Sequence, residues 1–265
     1  MPELPEVEAA RRQVARALAG RRIVAVAVRE DPVVFAGVTG RRLAACLRGR
    51  RVKAVGRKGK HLWLELDRRP WPALHFGMSG GLRVYRDASE RPRYWKLELS
   101  ADSGARVVFT DKRRFGRVRL QHDPPGEPPI RDLGADALDA VPSTGEMRAL
   151  LAKRKAPIKA VLLDQGAFAG VGNWVADEVL YQAGISPHRR ASSLTPREVK
   201  RLRSRLQAIV RRAVAVDADS DRFPRSWLFH YRWGRNARAE TWRRERIVHH
   251  TVGGRTTAWV PGRQR

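Results

Sequence analysis

The spacing of apolar residues changes period once along this chain, and that switch limits what it can fold into. In the first 121 residues the apolar side chains fall in short runs, at 23–28, 61–66, 73–78, 82–85, 95–99, 106–110 and 117–120, separated by Gly, Pro, Asp and Arg turns. Such runs predict the strands of a sandwich or barrel. One helix precedes them over 5–20, with Pro5 in its first turn, Val7, Ala10, Val14 and Leu18 at helical spacing, and Gly20 closing it. Residues 122–143, with Pro124, Pro125, Pro128 and Pro129, read as a linker. Beyond it the period is helical. Segments 157–165 and 173–183 flank the turn Gly166-Ala-Phe-Ala-Gly-Val-Gly172. A longer helix begins at Thr195, with Pro196 and Glu198 completing a capping box ahead of Val199, Leu202, Leu206, Ile209 and Ala213. From 227 onward aromatic, β-branched and Arg residues alternate as in a hairpin. The reading is an α+β chain: a β-sandwich with its N-terminal helix over 1–121, the linker over 122–143, a helical domain over 144–226 and a β-ribbon over 227–265.

A chain of 265 residues can bury a substantial core, and no apolar run reaches the length of a membrane span. Its one cysteine, Cys46, excludes a disulfide framework and any zinc site built from several thiolates, so no metal or other cofactor is expected. Residues 1–20 lack a signal-peptide core, and Glu3, Glu6 and Glu8 oppose a transit peptide, so a cytoplasmic place is expected. The net charge of +27 calls for a polyanionic partner. Counterion release from a nucleic-acid backbone is the usual use of such a surplus.

The N-terminus carries the first chemical signal. Pro2 is small enough for aminopeptidase to remove Met1, which leaves a free prolyl amine. An α-amino group with a pKa near 8 is partly neutral at pH 7 and can attack an aldehydic sugar carbon to form an iminium ion. Glu3 can move protons beside it. The same two residues also make an ordinary helix start, with Glu3 favouring the helix dipole.

The whole string Met1-Pro-Glu-Leu-Pro-Glu-Val-Glu8 resembles the N-terminus of the formamidopyrimidine-DNA glycosylase and endonuclease VIII family of base-excision repair enzymes, and the likeness runs through nearly the whole chain. It implies Pro2 as nucleophile, Glu3 as proton donor and Glu6 as support. In Gly56-Arg-Lys-Gly-Lys60, Lys60 looks like the family's catalytic lysine at the lesion and its phosphate, Lys58 being wrongly spaced from the following strand. In His75-Phe-Gly-Met78-Ser-Gly80 and Asp111-Lys-Arg-Arg-Phe-Gly116, the resemblance puts His75 on DNA. It makes Met78, Arg113 and Phe115 the residues that fill the space left by an extruded nucleotide. An apolar wedge, a flat ring and a hydrogen-bond donor suit that work. Residues 155–178 resemble the family's helix–two-turn–helix, which implies Lys159 and Asn173 on phosphate and Glu178 as a buried ordering acid.

The tail both matches and departs. A stretch beginning at Trp233-Gly-Arg235 lies on the family's four-cysteine zinc finger without gaps, but the metal positions hold Glu240, Arg243, Val260 and Arg263. These cannot make a thiolate site. Arg255, in Gly253-Gly-Arg255, keeps the DNA-contacting and catalytic arginine of the hairpin. The resemblance is therefore to the zincless, plant-type branch, its finger held by β pairing and packing of Trp233, Trp242, Ile247, Val248 and Trp259. Residues 214–225 are short and lack the glycine-rich loop that covers 8-oxoguanine in typical bacterial members. That implies a preference for formamidopyrimidines, hydantoins and abasic sites. The expectation is a monomeric, bifunctional glycosylase and lyase acting on damaged double-stranded DNA in a groove between its domains. A non-catalytic damage binder, a relative specialised for oxidised pyrimidines, crosslinks or bulky adducts, and an RNA-binding protein remain as alternatives.

Overall fold

The computed structural model describes residues 2–234 and 239–265. Met1, whose removal is expected, and Arg235 lie outside them. The chain forms two compact units, Met1–Asp132 and Leu133–Arg265.

In the first unit, α1 (Leu4–Leu18) precedes β1 (Ile23–Val28), α2 (Gly40–Leu47), β2 (Val52–Lys58), β3 (His61–Leu66), β4 (Trp71–His75), β5 (Gly81–Tyr85), β6 (Trp95–Ala101), β7 (Arg106–Thr110) and β8 (Arg117–Gln121). Two four-stranded antiparallel sheets result, ordered β1-β6-β7-β5 and β2-β3-β4-β8. One apolar core joins them: Ile23, Leu97, Leu99, Val107 and Phe109 from the first, Val52, Leu62, Leu64, Leu74 and Val118 from the second. Val7, Val14 and Leu18 of α1 enter the same core, so the helix start is held against the sheets. Burying each such side chain contributes roughly 1.5–3 kcal/mol.

Two elements here lie outside the sequence expectation. The apolar stripe of α2 has only Leu43 and Leu47 among arginines. The sequence of β2 contains a glycine, Gly56, but that glycine is required: a Cβ there would stand 2.2 Å from the indole of Trp63 across the strand pair. The strand expected over 73–78 ends at His75, which leaves Met78 in a turn.

In the second unit, β9 (Ala135–Asp136) pairs in parallel with β10 (Phe168–Ala169). The helices are α3 (Thr144–Ala152), α4 (Ile158–Leu163), α5 (Asn173–Ala183) and α6 (Pro196–Ala215). Buried almost all round, α5 forms the centre. α6 starts as expected, the Thr195 hydroxyl accepting from the Glu198 backbone N–H in a capping box. An antiparallel hairpin of β11 (Val248–Val252) and β12 (Arg255–Trp259) ends the unit. The proline-rich stretch is built into the structure. Gln121 donates to the Pro128 carbonyl at 2.8 Å, and β9 lies within it.

Candidate functional site

The start of α1 is fixed by a capping box: the Glu3 backbone N–H donates to Glu6 Oε2 at 2.9 Å while the Glu3 carboxylate receives the Glu6 backbone N–H. Glu3 is buried and Pro2 half-buried. Glu6 thus supports the position of Glu3 directly. Five residues after Glu3, Glu8 is also buried and accepts from Arg11 at 2.8 Å, from Arg12 at 3.0 Å and from Arg57 at 3.0 Å. Burial pushes its carboxyl up, but the hydrogen bonds and charges of Arg11 and Arg57 outweigh that and leave its pKa lowered.

Arg57 carries the connection onward. Its Nη1 donates to the Gly59 carbonyl at 3.1 Å, in the two-residue turn between β2 and β3. Gly59 has φ +57°, a left-handed value suited to glycine at the first position of such a turn, and Lys60 is the second. Glu3 and Lys60 therefore sit on two elements fastened together through buried Glu8 and Arg57.

Next to Lys60, His61 pairs across the strands with His75, their rings 4.7 Å apart. Burial, then His75 and Arg119, hold His61 down to about 3; burial, then Lys60 and Arg119, hold His75 to about 4. Both are neutral at pH 7. His75 Nδ1 accepts the Gly77 N–H at 3.1 Å, so the ring proton is on Nε2, which is available as a donor.

Met78 and Phe115 are exposed although apolar. Their turns are packed tightly together: a Cβ on Gly77 would stand 2.4 Å from the Phe115 backbone, and Gly77 has φ +60°. Arg113 lies over the Phe115 ring, 4.8 Å from its centroid. Buried Asp111 fixes this loop, accepting from Ser79 Oγ at 2.7 Å, from Arg113 N at 3.1 Å and from Gly116 N at 2.6 Å. Between the two presented side chains, Arg114 takes a left-handed φ of +61°. It is held there by Asp31, through Nε at 3.0 Å and Nη2 at 3.1 Å. Burial raises Asp31, but hydrogen bonds from Lys96 and Arg114 take it down to about 2. Sequence reasoning missed Asp31, Arg114 and Glu8. Only Asp111 had a local signal, an Asp two residues before a turn N–H.

In the second unit, Asn173 is the first residue of α5, and its Nδ2 donates to the Thr256 carbonyl at 2.9 Å. Thr256 follows Arg255, which is exposed. The hairpin tip also rests on α4, where a Cβ on Gly253 would meet Ala160 at 3.0 Å. Asn173, Arg255 and the turn ending at Gly172 are thereby brought together.

Residues 1–118 match the formamidopyrimidine-DNA glycosylase N-terminal domain, and 133–224 match the H2TH domain of the same family. A formamidopyrimidine-DNA glycosylase of Arabidopsis thaliana is 42% identical over 278 aligned positions, covering 100% of this chain and 71% of the relative. The chain belongs to the formamidopyrimidine-DNA glycosylase family. The Moorella thermoacetica relative is 38% identical over 81% of this chain and 79% of its own length. The fold matches Lactococcus lactis formamidopyrimidine-DNA glycosylase bound non-covalently to abasic-site DNA, with TM-score 0.86 and 24% identity over 99% of both chains. Among the described residues no helix is long and apolar enough to cross a membrane.

Two family-based expectations need correction. Lys159 does not reach toward a phosphate: it is wholly buried, and its ammonium pairs with Asp177. Trp233 and Trp242 do not pack inside the terminal hairpin, being 59% and 49% exposed with Arg232 and Arg243 against their rings. The hairpin is held otherwise. Ile247, Ala258 and Val260 form a core with Tyr181 and Leu228, and Asp177 receives the Ala258 N–H at 3.2 Å and Arg232 at 2.6 Å. Glu245 joins Tyr181, Thr241 and Arg263 at 2.7, 2.9 and 3.3 Å. Val260 and Arg263 thus have packing and ion-pair duties.

Glu178 is buried completely, and accepts from Gln182 Nε2 at 2.7 Å and the Phe229 N–H at 2.8 Å. It orders the turn that holds Phe229 against Trp174. Burial raises its pKa to about 7. A raised folded-state value stabilises the protein below the unfolded value and loses that stability as pH rises through about 7. Glu178→Gln removes the effect, ~3 kcal/mol at most. The urea midpoint, followed by tryptophan fluorescence, is expected to fall less for the variant than for the native chain between pH 5 and pH 8. Parallel pH profiles would contradict this.

Proposed function

We propose that this chain is a bifunctional glycosylase and abasic-site lyase that removes oxidised bases from duplex DNA through Pro2. The observation that carries the reading is the fastening of the Pro2–Glu3 helix start to the Lys60 turn through Glu8 and Arg57. Once Met1 is removed, the Pro2 nitrogen attacks C1′ and the C1′–base bond breaks, the base leaving with the bonding pair. The nitrogen, now a positively charged ammonium, loses its proton. The lone pair so freed forms the C=N bond and expels O4′, which Glu3 protonates, so the sugar opens as an iminium ion. Loss of a C2′ proton drives out the 3′-phosphate, and a second elimination drives out the 5′-phosphate. A one-nucleotide gap remains.

Lys60 supplies charge and neutral His75 a directed Nε2–H donor for the lesion phosphate. Met78, Arg113 and Phe115 occupy the vacated stack. Asn173 and Arg255 grip phosphate beside the α5 N-terminus. Glu6 and Glu178 act as supports, and no metal takes part. The enzyme works as a monomer.

The substrate preference follows the zincless branch, with hydantoins and formamidopyrimidines ahead of 8-oxoguanine. Two features support it: the Arabidopsis relative aligns over the whole chain, and 216–223 closes into tight turns, with Asp219 N–H on Val216 O at 3.0 Å and buried Phe223 ending them. Single-turnover cleavage of duplexes carrying each lesion is expected to rank 8-oxoguanine last, by about tenfold or more, a discrimination of ~1.4 kcal/mol. Equal rates would overturn the preference.

A further inference from the structure

The second unit contains a pocket that none of these roles uses. It has a volume of about 260 Å³, and the residues that line it include the aromatic Tyr181, Trp227 and Trp242 and the cationic Arg205, Arg243 and Arg263. Among the described residues no carboxylate lines it. Arg263 is already engaged, bonded to Glu245 at 3.3 Å and lying over Tyr181. Among the described residues, Arg205 and Arg243 have no carboxylate partner. Two uncompensated cations facing one cavity repel each other, and an anion between them removes that penalty. Trp242, half exposed with Arg243 against it, adds an aromatic surface of the kind on which nucleobases stack.

We propose that this pocket binds a single nucleotide, its base against Trp242 and its phosphate between Arg205 and Arg243. The chemistry is the same for a free nucleotide and for the phosphorylated end of a DNA single strand. An acidic peptide would satisfy the arginines but leave the indole unmatched. The site is independent of the residues assigned to base excision, so its failure and that of the glycosylase reading are separable.

The test uses the full-length protein with deoxyadenosine monophosphate and with 5′-phosphorylated oligothymidylate, followed by tryptophan quenching. Photolabelling with the 8-azido nucleotide maps the site. Saturable binding is expected, with label on the peptide containing Trp242. Tighter binding of the mononucleotide identifies a free nucleotide as the ligand, and tighter binding of the oligonucleotide a strand end. Arg205→Ala with Arg243→Ala, both exposed positions, is expected to weaken either probe at least about tenfold. Abasic-site cleavage and the thermal midpoint should stay unchanged. Equal affinity in the variant, label elsewhere, or tighter binding of a tetra-aspartate peptide would overturn the proposal.

Discussion

Glu3→Gln is expected to slow strand cleavage at an abasic site by about 10²-fold or more while the protein stays folded and keeps its affinity for abasic-site duplexes. The carboxyl group is the proton source for the opening sugar, and an amide cannot replace it. The capping role survives, because a glutamine oxygen still accepts the Glu6 N–H. Only the charge at the helix start is lost, about 0.3–1 kcal/mol. A single-turnover rate within threefold of the native value, with binding intact, would remove Glu3 from the chemistry.

Asp177→Ala should produce the largest loss of stability in the second unit, about 3–5 kcal/mol. The substitution removes the carboxylate that the buried Lys159 ammonium and the Arg232 guanidinium both pair with, and frees the Ala258 N–H of β12. The terminal hairpin then keeps only its apolar cluster, the Asn173–Thr256 bond and the Glu245 contacts, and early proteolytic cleavage within 239–265 is expected. In the native chain a chelator should not move the urea midpoint, since ion pairs and packing do the holding. A shift under 1 kcal/mol for Asp177→Ala, or a large chelator effect, would contradict this account of the hairpin.

What the sequence revealed and what it concealed divide along physical lines. Periodic burial was legible: the face of α6 and its Thr195–Glu198 box stand where the spacing put them, and most strands of the sandwich do too. Met78 and Phe115, which turns present to solvent, were found only through the family resemblance, because a single apolar residue in a sequence reads as core. Long-range charge pairing was not legible. Whether Lys159 faces solvent or Asp177 depends on how α4 and α5 pack, with 18 residues separating the pair. The left-handed Arg114 has no local signature, since its partner Asp31 lies 83 residues away. The connection from Glu8 through Arg57 to Gly59 likewise exists only once α1 lies on the β2–β3 hairpin.

The central claim is that the Pro2 nitrogen is the nucleophile. Borohydride trapping on an abasic-site duplex tests it most directly, comparing protein with Met1 removed against protein with a blocked N-terminus. A covalent adduct that maps to Pro2 in the first, and no adduct in the second despite equal DNA binding, is the expected result. An adduct on a lysine, or trapping that survives the block, would contradict the account.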